Sequence, residues 1–152
     1  MLRCTFTGHR DVIRITVADI LKILEEIMLQ SDEDMECLVG GMGDFDGLAA
    51  SAVRSLKRKY KNRKIRLVLV MPYMQKKVND QKAYYEEMYD EIIVPAELDG
   101  VHYKRAITLR NRWMVDQSKY VIAMVWRDYG GAYDTLKYAR KQKKKIIELS
   151  SI

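Results

Sequence analysis

Val39-Gly40-Gly41-Met42-Gly43-Asp44-Phe45-Asp46-Gly47 follows the apolar run Cys37-Leu38-Val39 and opens into Leu48-Ala49-Ala50-Ser51-Ala52-Val53-Arg54-Ser55-Leu56. The order reads as strand, glycine turn, helix. Glycines lacking Cβ let backbone N–H groups approach a ligand, and the orphan amides of a helix start favour phosphate or ribose oxygens. A weaker copy lies near the other end, where Val121-Ile122-Ala123-Met124-Val125-Trp126 runs through Arg127-Asp128-Tyr129-Gly130-Gly131-Ala132 into the helical pattern Thr135-Leu136-Lys137-Tyr138-Ala139. Two such cradles in one small chain point to a nucleotide-like ligand.

Between and around the cradles, strand and helix patterns alternate. Leu2 to Thr7 reads as a strand ending at Gly8-His9-Arg10, and Ile15 to Leu29 as an amphipathic helix with apolar Ile20, Leu21, Leu24, Ile27 and Met28. Ile65 to Met71 is apolar enough to be a central strand, stopped by Pro72. Asn79 to Met88 reads as a short tyrosine-rich helix, Glu91 to Pro95 as a strand, Glu97 to Tyr103 as a loop and Lys104 to Gln117 as a helix. The second cradle and a terminal strand, Lys145 to Leu149, complete the series. Strands separated by helices imply right-handed crossovers and parallel pairing. The expectation is an α/β Rossmann-like three-layer sandwich with a mainly parallel central sheet of about five to six strands, formed by residues 1–152 as a single domain.

Composition narrows the partners. The net charge is +6, which favours an anionic partner without naming it. The basic residues concentrate in Arg54 to Arg66 and Arg140 to Lys145, both at expected helix ends where cations complement the macrodipole. A solvated face is preferred there over a nucleic-acid footprint, because no nucleic-acid module accompanies the charge. Cys4 and Cys37 fall within strands as buried thiols, and without CxxC spacing no zinc site is expected. No bound metal or cofactor is implied. No apolar leader or membrane-length stretch stands out, so the expected location is a reducing cytoplasm.

In an open parallel sheet, ligands gather outside the carboxyl ends of the strands. That edge should hold Gly8, His9 and Arg10; Gly40, Gly41, Met42, Gly43, Asp44, Phe45 and Asp46; Tyr73; and Trp126, Tyr129, Gly130, Gly131 and Ala132. Arg110 shares a helical stripe with Ile107 and Met114, so its guanidinium starts from a buried face and needs an anionic partner. Asp44 reads as an N-cap and Asp46 as a first-turn complement to the dipole; alternatively one of them accepts from ribose hydroxyls or acts as a general base. Two acids there would repel a phosphate, which makes Gly130-Gly131 with Arg10 and Arg110 the better anion site. Asp134 reads as a capping residue. His9 either satisfies a local backbone group or serves in catalysis, and Tyr73, Trp126 and Tyr129 either stack on a base or pack locally. His102 sits in a loop with no visible partner.

The glycine turn Gly40 to Gly47 running into Leu48-Ala49, the helix bearing Arg110-Asn111-Arg112-Trp113-Met114, and Gly130-Gly131-Ala132 resemble the SLOG superfamily. That group joins the lonely-guy phosphoribohydrolases, the Smf/DprA proteins and small YpsA-like bacterial proteins. Thr7-Gly8-His9-Arg10 and Arg110-Asn111-Arg112 with Met114 are most similar to the YpsA-like branch. The resemblance covers nearly the whole chain and implies a bacterial or phage nucleotide-binding domain. The lonely-guy motif PGGxGTxxE falls on Tyr129 to Lys137: Arg110 matches the arginine that works with its glutamate, but Lys137 replaces the glutamate, Tyr129 the proline and Tyr133 the third glycine. A lysine has the wrong charge to support an oxocarbenium-like centre.

Three functions follow as expectations. The first is a module that senses or sequesters a nucleotide without turnover. The second is a nucleotide hydrolase or transferase acting on an N-glycosidic or phosphate bond, with Asp44, Asp46 or His9 as candidate catalytic residues. The third is a DNA-associated role like that of Smf/DprA, which the lack of stacking aromatics among the basic runs makes less favoured. The lonely-guy resemblance also implies a homo-oligomer, and Tyr84, Tyr85, Met88 and Tyr89 offer either a partner surface or internal packing.

Overall fold

The computed structural model describes residues 1–10 and 14–149. Six strands form one sheet in the order β4-β3-β2-β1-β5-β6. They are β1 (Leu2–Gly8), β2 (Met35–Val39), β3 (Ile65–Val70), β4 (Glu91–Ile93), β5 (Tyr120–Met124) and β6 (Lys145–Glu148). Every pairing is parallel, with Cys4 opposite both Cys37 and Tyr120. The chain steps outward from β1 to β4, then crosses back so that β5 joins the other side of β1. Neighbouring strand ends therefore turn away from each other between β1 and β5, which opens a crevice at their carboxyl ends.

Period-2 alternation divides the strand side chains between two helical layers. Cys4, Phe6, Cys37, Val39, Leu67 and Leu69 join the main core with Ile20, Leu24, Ala49 and Val53, residues of α1 (Val17–Met28) and α2 (Gly43–Lys59). On the other face Leu38, Val68 and Val70 meet Met114, and Val121 meets Val115 and Ala139. These belong to α5 (Tyr103–Gln117) and α6 (Gly131–Lys141). The α1 start carries a capping box: Thr16 Oγ1 accepts from Asp19 N, and Asp19 returns an acceptor to Thr16 N.

Two local expectations are corrected. Asn79 to Met88 is not one helix, because α3 (Lys76–Asp80) and α4 (Lys82–Met88) are separated at Gln81, whose extended φ of −117° and ψ of 39° interrupt the helical path. The fourth strand ends at Ile93, and Pro95, which has no N–H to continue a ladder, leads into a single 3-10 turn, Ala96–Leu98. The cysteines are buried with their sulfurs 3.9 Å apart. The contact with Cys4, together with burial, raises the Cys37 thiol well above its ordinary pKa, which keeps it unreactive.

Candidate functional site

The crevice between β1 and β5 is a cleft of about 380 Å3. Its floor is the end of β1, Thr5 to Arg10. One wall is Met42 and Asp46 with Ile107, Arg110, Asn111 and Met114 of α5, and the other is Arg127 and Tyr129 through Ala132 with Thr135. Of the residues placed at this edge from sequence, Gly8, His9, Arg10, Met42, Asp46, Arg110, Tyr129, Gly130, Gly131 and Ala132 line the cleft together. Gly40, Gly41, Gly43, Asp44, Phe45, Tyr73 and Trp126 do not.

The two glycine turns differ in what occupies them. At the first, other parts of the chain pack closely against the glycine backbone. A Cβ on Gly8 would sit 2.4 Å from the Phe45 ring, and one on Gly40 would sit 3.0 Å from the Arg110 guanidinium carbon. Gly43, at φ 85°, lets its backbone pass against Arg10, whose carbonyl accepts from Asp44 N at 2.8 Å. These glycines serve close packing within the fold. At the second turn, Cβ atoms built on Gly130 and Gly131 would meet nothing within 4 Å. Gly130 takes φ 95° at the N-cap of α6 and offers no capping side chain, and the first backbone bond back to it is from Asp134 N at 3.0 Å. The amides of Gly131, Ala132 and Tyr133 in the first turn precede that bond and have no acceptor among the described residues. Two hydroxyls hold the turn by its carbonyls: Thr7 Oγ1 donates to Ala132 O at 3.2 Å and Thr135 Oγ1 to Gly131 O at 2.8 Å. Both threonines were missed from sequence, since only the tertiary fold brings residues 7 and 132 together.

The acids do not sit as expected. Met42, not Asp44, is the N-cap of α2, and Asp44 is exposed in its first turn. Asp46 Oδ2 instead accepts from Met42 N at 3.1 Å, across the turn. Its Oδ1 has no hydrogen-bond donor among the described residues, and Asp46 is one of the residues lining the cleft. Burial raises its pKa to about 6, against smaller lowering effects of the Met42 N–H and the nearby Arg110 charge. Asp134 is not a cap either; its carboxylate pairs with Lys137 Nζ at 3.7 Å on the exposed face of α6. Lys137 is outside the cleft, so the position that carries a glutamate in the lonely-guy motif differs here in placement as well as in charge.

Arg110 is 2 % exposed, and its hydrogen-bond partners lie inside the fold with the Asp46 charge nearby. Nη1 donates to Gly40 O at 3.1 Å and to Val70 O at 2.8 Å, and Nε donates to Asn111 Oδ1 at 2.9 Å. It ties together the ends of β2 and β3. Nη2 has only the soft Met42 Sδ contact at 3.5 Å among the described residues, so one edge of the guanidinium is kept for the cleft. Desolvation lowers its pKa while Asp46 and Tyr73 oppose that shift. His9 Nε2 accepts from Arg127 N at 3.1 Å, and its ring packs edge-on against Trp126 at 5.1 Å. His102 does have a partner: it caps α5, with Nδ1 accepting from Lys104 N at 3.3 Å. Among the described residues no group of three or more His, Cys, Asp or Glu is placed to hold a metal ion.

Sheet order, crossovers and cleft together define a Rossmann-like α/β domain with a cleft at its switch point. No family model matches the chain. It is 29 % identical over 137 residues to the uncharacterized SPbeta prophage-derived protein YoqJ of Bacillus subtilis (strain 168), over 80 % of this chain and 78 % of that protein. Among solved structures it is similar to DNA processing protein A from Helicobacter pylori, described for its single-stranded DNA binding mode. That match has a TM-score of 0.65 and 16 % identity, covering 97 % of this chain and 64 % of that one. DNA processing protein A (DprA) from Streptococcus pneumoniae matches with a TM-score of 0.69 and 13 % identity, covering 97 % and 50 %. The protein TM1055 matches at 0.58 and 11 %, covering 96 % and 72 %. The chain thus spans about half to two thirds of the DprA chains. The likeness is one of fold.

Proposed function

We propose that the cleft binds a nucleotide or nucleotide-derived ligand, with its phosphate on the first turn of α6 and its sugar hydroxyls toward Asp46, and that residues 1–152 act as one sensing or sequestering domain. The observation that carries this reading is the open helix start, Gly130 to Tyr133, at a cleft that Arg110 and Asp46 also line. Amides and a guanidinium supply anion donors; a largely buried carboxylate supplies an acceptor for hydroxyls. The phosphate and Asp46 belong on opposite walls, because a carboxylate on the same amides would repel it. Thr7-Gly8-His9-Arg10 and the likeness to a prophage-derived protein support a place beside the small YpsA-like proteins of bacteria or phage. A reducing cytoplasm suits the paired thiols of Cys4 and Cys37.

Two other readings have an observation each. A carboxyl titrating near 6 is suited to proton transfer at neutral pH, which favours Asp46 over Asp44 or His9 if the bound nucleotide is hydrolysed or transferred. The fold it shares with DNA processing protein A, together with a sequence pI of about 9.2, favours a single-stranded DNA ligand.

Calorimetric titration with adenosine monophosphate, adenosine and a short single-stranded oligonucleotide separates the three, with chromatography of each mixture after long incubation. The nucleotide-binding reading expects the monophosphate to bind more tightly than the nucleoside, with no free adenine released. Tighter binding of the oligonucleotide, falling steeply between about 50 and 200 mM salt, would favour the DNA reading. Adenine release abolished by Asp46→Asn would establish the enzyme.

A further inference from the structure

We infer that Arg127 and Tyr129 form a nucleobase subsite that works by stacking alone, so that the cleft takes an unpaired nucleotide and favours purines over pyrimidines. The inference rests on the phosphate reading above and names what that reading leaves open. Both residues line the cleft. The Arg127 guanidinium carbon lies 4.3 Å from the Trp126 ring centroid and 5.6 Å from that of Tyr129. Behind it, Trp126 is held edge-on by His9, and the Arg127 backbone N–H is held by His9 Nε2. The result is a braced layer of aromatic and guanidinium planes at the rim.

Its outer surface is open. The Tyr129 residue is 63 % exposed and Trp126 46 %. Tyr129, which lines the cleft, offers a flat face to a base, and the Arg127 guanidinium plane beside it, braced on Trp126, adds a cation–π contribution. Tyr129 is two Cα steps from Gly131, where the first open amide of α6 lies. That is at most about 7.6 Å along the chain, a separation that a nucleoside monophosphate bridges between phosphate and base. Stacking does not read base edges, so every base fits and the larger purine face gains more. A base already stacked in a duplex has no free face to offer.

The test is titration of wild type, Tyr129→Ala and Tyr129→Phe with adenosine monophosphate, uridine monophosphate, ribose 5-phosphate and adenosine. Tyr129 is exposed, so the variants keep the fold. Adenosine monophosphate should bind the wild type about tenfold more tightly than ribose 5-phosphate, with uridine monophosphate between them. Tyr129→Ala should remove that advantage and leave ribose 5-phosphate binding unchanged, while Tyr129→Phe should keep it. Ribose 5-phosphate binding the wild type as tightly as adenosine monophosphate would overturn the base subsite and leave the phosphate reading standing. Adenosine binding as tightly as its monophosphate, still dependent on Tyr129, would do the reverse. Absence of binding by all four would overturn both.

Discussion

Asp46 is the residue whose environment carries the most chemical consequence. Its carboxyl titrates near 6 when folded against an ordinary value of 3.8. Between those values the folded protein holds a proton that the unfolded chain has released, so stability is full below about pH 4 and declines as pH rises through 6. Two pKa units correspond to roughly 3 kcal/mol. Asp46→Asn keeps an acceptor for Met42 N and removes the buried charge. Thermal melts at pH 8 should rise by several degrees in this variant and lose their pH dependence between pH 4 and 7; an unchanged melt would show that the carboxylate is well solvated. Arg110 has the opposite character. Arg110→Ala leaves the carbonyls of Gly40 and Val70 without their donor, and should cost about 2 to 4 kcal/mol in denaturant unfolding. Lysine should recover little of this, since one ammonium cannot reproduce the fork that spans two strand ends and Asn111. Equal midpoints for wild type and Arg110→Ala would remove that structural role.

At the scale of elements, the two helix starts at the cleft differ in how the fold packs them. The α2 start, announced by the richer glycine run, is closed by Arg10 O and Phe45 and acts as scaffold. The α6 start is open. Gly131→Glu should be tolerated by the fold, because its Cβ meets nothing within 4 Å, yet place a carboxylate at the proposed phosphate position and weaken nucleotide monophosphate binding by tenfold or more. Gly8→Ala should do the reverse, destabilising the protein through a 2.4 Å approach to Phe45. Binding that survives Gly131→Glu unaltered would move the anion site elsewhere. Lys137→Glu should not produce adenine release in a chromatographic assay, since that side chain lies 55 % exposed on the far face of α6.

Across the whole molecule, the lysine-rich runs are kept apart from the cleft. Lys57, Arg58 and Lys59 end α2, and Arg140 and Lys141 end α6, at helix termini away from the open amides. Several are engaged by acids: Lys57 with Asp90, Lys59 with Glu25, Arg140 with Glu148. Hydrogen exchange with adenosine monophosphate bound should therefore protect Tyr129 to Tyr133 and Gly8 to Arg10 and leave residues 54–66 unchanged; protection confined to that basic run would put the ligand on the wrong edge. The tyrosine patch considered for self-association is partly buried. Tyr85 and Tyr89 pack on the main core and Arg54 covers the Tyr89 ring, which leaves Tyr84 as the exposed member.

The sequence by itself determined the alternation of strands and helices, the parallel pairing that such alternation forces, and the edge where the cleft lies. Those follow from local periodicity and from the handedness of crossovers, which neighbouring residues encode. Single helix breaks escaped it, as at Gln81, where no proline or glycine marks the interruption. The tertiary structure alone decided which glycine turn was open. A Cβ-free backbone is needed equally where a ligand approaches and where another part of the chain does, and Gly8 with Phe45, or Gly40 with Arg110, cannot be told from a phosphate cradle until distant segments meet. Arg110 was placed on a buried face by spacing, but its partners proved to be the carbonyl ends of two strands 40 and 70 residues away. Burial can be read from a periodic pattern; what satisfies a buried charge depends on contacts that only folding creates.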